Sequence, residues 1–114
     1  MRIAVSAESM EDGGMATHFG RCACFVIFET EGGRIMSVKL VRNPFCGTHK
    51  PGAVPKFIIS QKVDVVITGA AGPNAIEALE SAGIRVVFAG GAAREMARQY
   101  LEGKLETVEN VCHH

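Results

Sequence analysis

The spacing of apolar and polar positions changes near Pro44. Before it, three apolar runs alternate or are rich in β-branched residues, and each ends in glycine or polar residues, as strands do. After it, two short continuous apolar runs separate three stretches whose apolar residues recur at helical spacing. The pattern predicts strands at 2–7, 23–30, 35–41, 64–69 and 84–89, and helices at 53–62, 73–82 and 92–102.

The connections predict how these elements pair. Gly32 and Gly33 join the second and third strands, and two glycines supply the positive φ of a β-hairpin turn. Strands separated by helices are usually parallel, with right-handed crossovers. Pro73 suits the first turn of the second helix, and Gly83 and Gly103 follow two helix ends. The sequence therefore predicts an α/β fold: a five-stranded mixed sheet with an antiparallel hairpin and three helices on its faces.

Length and charge narrow the class of protein. A chain of 114 residues with 47% hydrophobic residues is expected to form one domain over 1–114, with 105–114 as a loose tail. Twelve basic and twelve acidic residues give no net charge, so nothing favours nucleic acid or an anionic membrane. The N-terminus indicates a strand instead of a signal peptide, and no apolar run approaches the ~20 residues of a membrane span. We expect a cytoplasmic protein.

The residues that can bind soft metals are segregated. All four cysteines and all four histidines lie within 18–24, 46–49 and 112–114. Thiolates and imidazoles are ligands for zinc, copper(I) and iron–sulfur species. In a reducing compartment, four cysteines favour metal or redox chemistry over disulfides. The distribution predicts one site built from loops on a scaffold that does no chemistry itself.

Two stretches provide candidate metal ligands in loops. Cys46 and His49 have a C-x-x-H spacing in a loop rich in glycine and proline, where a thiol gains little from burial. Cys112 and His113, near the end of the sequence, are further candidates that can close a metal site, or belong to a frayed terminus.

Cys22 and Cys24 lie two positions apart at a strand entry. Side chains at i and i+2 share one face of a strand, so both sulfurs are expected on one side, where they can bind one metal. The alternative is that one of them is a small buried hydrophobe.

A turn between a buried strand and a helix is a candidate anion site. It runs from Gly69 through Gly72, Pro73 and Asn74. A helix N-terminus offers N–H groups and a partial positive charge, and α/β folds bind ligands at this edge of the sheet. An ordinary tight connection is the alternative.

Several of these segments occur together in a recognisable order: His18-Phe19-Gly20-Arg21, then Asn43-Pro44, then the turn from Gly69 to Asn74. From Met1 to about Leu105, the chain resembles the dinitrogenase iron–molybdenum cofactor biosynthesis family. The resemblance implies a ribonuclease H-like, three-layer α/β/α fold. It also implies a protein that is not an enzyme, that carries a metal–sulfur cluster or its precursor, and that exchanges it with a cluster-assembly or acceptor protein, as a monomer or weak homodimer.

The resemblance also implies a role for the first of these segments. His18 and Arg21 would face an anionic cluster, with Gly20 allowing close approach of the backbone. A tight turn with Phe19 in the core is the structural alternative. The chain departs from many relatives at Cys46 and His49, where they carry a histidine-rich stretch. Cysteine is the softer ligand, so copper(I), iron or zinc is favoured over a bare molybdate-like precursor.

Two other functions compete with the cluster carrier. One is a zinc or copper(I) binding or sensing module that uses the same cysteines and histidines. The other, ranked last, is a thiol-dependent redox enzyme using Cys22 or Cys46. Nuclease activity of the ribonuclease H type is excluded, because such enzymes need several carboxylates that converge on two metal ions. Glu8 follows the first strand, whereas Asp64 opens its strand at the opposite end of the sheet.

Overall fold

Strands and helices follow one another in the predicted order. The computed structural model describes residues 1–7, 19, 22–45, 52–90 and 92–105. Its elements are β1 (Arg2–Ala7), β2 (Cys24–Glu31), β3 (Arg34–Arg42), α1 (Ala53–Ser60), β4 (Val65–Thr68), α2 (Pro73–Ser81), β5 (Arg85–Phe88) and α3 (Ala93–Leu101). All eight predicted elements are confirmed, with ends that differ by two residues at most. Among the helices so described, none has the length and apolar character needed to cross a bilayer.

The strands form one mixed sheet in the order β3-β2-β1-β4-β5. β2 pairs antiparallel with β1 and β3, whereas β4 pairs parallel with β1 and β5. Gly32 and Gly33 have φ of 60° and 81°, the left-handed conformation that the hairpin turn requires. The hairpin therefore gives the antiparallel part of the sheet, and the helical crossovers give the parallel part.

Each face of the sheet has its own hydrophobic core because successive strand residues point to opposite sides. Ala4, Phe25 and Val66 belong to the core that α1 and α2 cover. Ile3, Val26 and the other alternate residues belong to the core that α3 covers. The predicted three-layer α/β/α arrangement is confirmed. It leaves β1 and β4 buried on both sides, in the centre of the molecule.

Arg2 connects several segments at the edge of the sheet where β1 and β4 begin. Its N–H group donates to Oδ2 of Asp64 (2.9 Å), and its Nη1 donates to the carbonyl of Gln61 (2.7 Å). The guanidinium also forms an ion pair with Glu29. Asp64 lies here, at the amino end of β4 and beside the amino end of β1, as predicted. β1 and β4 end at the opposite edge of the sheet.

An exposed cluster of charged side chains on α3 predicts how the stability of the fold changes at acid pH. Arg98 donates from Nε to Glu95 (3.1 Å), and the hydrogen bonds from Arg98, with a further one from Gln99, lower the pKa of Glu95 from its ordinary 4.5 to about 2. A lowered pKa stabilises the fold above the ordinary value and loses that effect as the pH falls toward 2. We expect Arg98→Ala to destabilise the protein above pH 4.5, and the gap to close as the pH falls to 2. Urea unfolding over this range measures the gap.

The matched control for that experiment is Arg34→Ala, since Arg34 is exposed and forms no ion pair with any residue that the structure describes. Its curve should follow the wild-type curve at every pH. A constant difference between Arg98→Ala and wild type from pH 7 to pH 2 would contradict the assignment to Glu95.

Candidate functional site

Described residues next to three of the candidate segments, 18–24, 46–49 and 69–74, lie at a single edge of the sheet. β1 ends at Ala7, which is opposite Cys24 at the start of β2, and Cys24 is in turn opposite Arg42 at the end of β3. Thr68, the last residue of β4, pairs with Phe88, the last residue of β5. The chain therefore enters or leaves the sheet five times at this edge, which we call the carboxyl edge because β1, β4 and β5 end there.

Phe19 connects two of the candidate segments. Its N–H donates to the carbonyl of Ala70 at 2.8 Å, which joins it to the turn after β4. Its side chain is 1% exposed, and its ring centroid lies 5.5 Å from that of Phe25. Phe19 is thus a core residue that holds one segment against another. This buried position agrees with the alternative of a tight turn with Phe19 in the core. The predicted roles of His18, Gly20 and Arg21 in binding a cluster remain predictions.

Asn43 connects the third segment to the first. Its Nδ2 donates to the carbonyl of Cys22 at 2.9 Å, and its Oδ1 accepts from the N–H of Phe45 at 3.0 Å. Its own N–H donates to the carbonyl of Ala23 at 3.0 Å. The side chain is buried, so these hydrogen bonds form away from competing water. Asn43 therefore fixes the start of the loop after β3 against the entry to β2.

A buried pair of hydroxyl groups lies beneath the same edge. Ser6 Oγ donates to Thr68 Oγ1 at 2.8 Å, and Thr68 Oγ1 makes a longer contact of 3.4 Å with the carbonyl of Ala70. That carbonyl also accepts from Phe19, so β1, β4 and the Phe19 segment are connected through polar groups. Sequence analysis missed this pair. The available signal was a single hydroxyl residue near the end of each of two otherwise apolar strands.

The two cysteines that the structure describes lie in different cores. Cys22 precedes β2 and belongs to the core under α1 and α2, whereas Cys24 opens β2 and belongs to the core under α3. The expectation that their sulfurs share one face is wrong, because strand alternation begins only at Cys24. Both side chains are buried, and Cys22 Sγ donates to the carbonyl of Phe19 at 3.2 Å. The sheet separates the sulfurs, so in this arrangement they do not bind one ion.

The turn after β4 presents a helix N-terminus toward the carboxyl edge. Gly69 and Asn74 are exposed, and Pro73 occupies the first turn of α2. Neither a side-chain cap nor an acidic residue occupies that first turn. Its N–H groups and the partial positive charge of the helix end are therefore available to an anion.

A cavity of about 450 Å³ runs along α2, and its described lining is Pro73, Glu77, Glu80 and Ser81. Two carboxylates disfavour an anionic ligand, so we do not assign the candidate site to this cavity.

The remaining predicted site residues are outside the described residues: His18, Gly20, Arg21, Cys46, His49, Cys112 and His113. Within 1–7, 19, 22–45, 52–90 and 92–105, no group of three or more His, Cys, Asp or Glu side chains could hold a metal ion. The predicted use of these residues as ligands therefore stays a prediction.

The mixed sheet with helices on both faces places this chain among small three-layer α/β/α proteins. Residues 1–103 match the model of the dinitrogenase iron–molybdenum cofactor family, and the chain belongs to this family. The resemblance noted from the sequence is confirmed. The family supports an accessory or binding role connected with the iron–molybdenum cofactor.

Individual relatives agree with this assignment. The chain is 32% identical over 112 residues to MJ0580, an uncharacterised protein of Methanocaldococcus jannaschii, covering 96% of this chain and 92% of the other. The crystal structure of PH0822 superposes with a TM-score of 0.83 at 33% identity, covering 94% and 96% of the two chains. The apo form of the orange protein from Desulfovibrio gigas gives 0.82 at 32% identity, covering 93% and 91%.

Proposed function

We propose that this protein is a non-enzymatic carrier of an anionic metal–sulfur cluster, or of a precursor of one, in the assembly of an iron–molybdenum type cofactor. The metal is iron, molybdenum or copper. The cluster is cargo: it is received from one assembly protein and passed to an acceptor protein.

The observation that supports the proposal is the pair of anchors at the carboxyl edge. The N–H of Phe19 is bonded to the carbonyl of Ala70, and the side chain of Asn43 is bonded to the carbonyl of Cys22. Phe19 is adjacent in sequence to His18, and Asn43 lies three positions before Cys46. Described residues next to the segments 18–24, 46–49 and 69–74 are thus bonded to one another.

The chemistry of the candidate residues fits such a cargo. A thiolate and an imidazole at Cys46 and His49 suit soft metals. A guanidinium at Arg21 forms charge-assisted hydrogen bonds with a sulfide-bearing anion. The N–H groups at the start of α2 add a fixed partial positive charge at the same edge.

Cluster loading tests the proposal. The metal-free protein is incubated anaerobically either with iron(II) and sulfide or with tetrathiomolybdate and copper(I), and is then separated by gel filtration. We expect bound metal and sulfide in near-stoichiometric amounts, with visible absorption. Cys46→Ser/His49→Ala should retain about tenfold less metal, and Arg21→Ala should retain less thiomolybdate. Arg34→Ala, an exposed arginine of the hairpin, is the control and should load as wild type does.

The rival functions give different results in the same assay. Tight binding of zinc or copper(I) without sulfide, lost in Cys46→Ser/His49→Ala, would favour the metal-binding or sensing module. Wild-type protein that takes up neither cluster would refute the carrier proposal.

A further inference from the structure

The longest and most exposed strand, β3, is the outermost strand on one side of the sheet. β3 has nine residues, whereas β5 at the other edge has four. Among the described residues, β3 pairs only with β2, so one row of its backbone N–H and C=O groups has no strand beside it. Met36, Val38 and Leu40 are 63%, 42% and 43% exposed. Proteins usually shorten or cover such edges, and an exposed apolar edge is a site for strand addition.

The apolar residues of β3 are flanked by cations. Val38 is opposite Phe28 and Leu40 is opposite Val26, so both lie on the face that carries α3. Arg42, opposite Cys24, shares that face. From α3, the guanidinium of Arg94 lies 6.0 Å from the ring centroid of Phe28. We call Val38, Leu40, Arg42 and Arg94 the β3 patch.

The positive charge of β3 and Arg94 favours a partner with acidic residues. β3 contains Arg34, Lys39 and Arg42 and no acidic residue. Neither they nor Arg94 form an ion pair with another residue in the described part of the chain. A partner strand with aliphatic residues beside Val38 and Leu40 and a carboxylate beside Arg42 would supply apolar contact and a countercharge on the same face, since cross-strand pairs of opposite charge are favourable.

The same charges disfavour two other occupants. A second copy of β3, paired antiparallel about Val38, would place Arg34 opposite Arg42, and like charges directly opposite are unfavourable. Proteins that bind single-stranded nucleic acid stack bases on aromatic side chains, and β3 has none.

We propose that β3 binds an extended segment of a partner protein by strand addition, and that this segment carries two aliphatic residues two positions apart, with an acidic residue two positions beyond them. Backbone hydrogen bonds would give affinity, and the β3 patch would give selectivity. Because Arg42 immediately precedes Asn43, the bound segment would end beside the carboxyl edge. This inference goes beyond the carrier function and does not depend on it, because it concerns the metal-free protein.

The experiment begins with a displayed library of random peptides of about 12 residues, enough to span β3, selected on the metal-free full-length chain. We expect enriched peptides to carry Val or Ile at positions i and i+2, with Asp or Glu two positions before or after this pair. The leading peptide is synthesised and titrated into ¹⁵N-labelled protein. Amide shifts should be largest in β3, and a version with alternate backbone amides N-methylated should not bind.

Charge-reversed variants test the β3 patch. Arg42→Glu/Arg94→Glu should weaken peptide binding by about tenfold or more, since carboxylates would then face carboxylates. Lys56→Glu/Lys62→Glu is the matched control: both lysines are exposed, and Lys56 lies on α1, on the opposite face. It should leave the affinity within about twofold of wild type. The amide spectrum of each variant establishes that it is folded.

Several outcomes would overturn the proposal. They are enriched peptides without an acidic residue two positions from an aliphatic pair, shifts centred outside β3, or equal weakening by the two double variants. A concentration-dependent dimer with protected β3 amides would assign the surface to a second copy. Tighter binding of a uridine oligonucleotide at β3 would assign it to nucleic acid. Failure of cluster loading would leave the result of this experiment unchanged.

Discussion

Replacing Phe19 by alanine should lower the free energy of unfolding by about 3–5 kcal/mol, the usual range for removing a buried phenylalanine ring. The side chain is 1% exposed and packs on Phe25, which in turn faces Phe57 at a centroid distance of 6.3 Å. Alanine would leave a cavity between the Phe19 segment and the core under α1 and α2. Urea unfolding followed by circular dichroism measures the loss.

Two variants show whether the lost ring is the cause. Phe19→Leu keeps most of the apolar volume and should recover more than half of the loss. Phe57→Ala removes a ring that is only partly buried in the same core and should have a smaller effect than Phe19→Ala. A Phe19→Ala protein within about 1 kcal/mol of wild type would mean that this segment does not contribute to the core.

Asn43→Ala should lower the free energy of unfolding by about 2–4 kcal/mol. The carbonyl of Cys22 would lose its amide donor, and the N–H of Phe45 would lose its acceptor. Both hydrogen bonds involve a side chain that is only 2% exposed to solvent. Each unsatisfied buried group costs about 1–3 kcal/mol, and water reaching Phe45 reduces the sum. The measurement is again urea unfolding, together with hydrogen exchange of the Phe45 amide, which should become faster.

The matched control is Asn74→Ala, because Asn74 is an exposed asparagine at the same edge. It should change the free energy of unfolding by about 0.5 kcal/mol or less. Asn43→Asp keeps the acceptor for Phe45 but loses the donor to Cys22 and buries a charge, so it should not restore stability. Unchanged exchange of the Phe45 amide in Asn43→Ala would contradict the proposed anchor.

The scaffold could be predicted because its signals are local. Alternation and β-branching mark β1, β2 and β3, and continuous apolar runs mark β4 and β5, which are buried on both sides or nearly so. The Gly32-Gly33 turn fixed the hairpin, and helical spacing fixed the crossovers. The position of the turn after β4 could also be predicted, since the carboxyl ends of parallel strands lie on the same side of a sheet.

The anchors of the site could not be predicted in the same way. Asn43 and Cys22 are 21 positions apart, and Ser6 and Thr68 are 62 apart, so their hydrogen bonds form only when loops or strands meet. No periodicity in the sequence encodes such a meeting. The prediction for Cys22 and Cys24 failed for a related reason: alternation determines faces only within a strand, and the exact first residue of β2 was not readable from the sequence.

The parallel pairing of β1 with β4 has a consequence for synthesis of the chain. Ile3 pairs with Val65, 62 positions later in the sequence, so the partner of the central strand is synthesised well after that strand. β1, β2 and β3 are adjacent in sequence and can associate early, because the connections between them, 8–23 and 32–33, cost less entropy to close than the longer separation of β1 from β4. Until residues 65–68 emerge, the apolar β1 of the nascent protein has one uncovered edge, and this is where a chaperone would have most to protect.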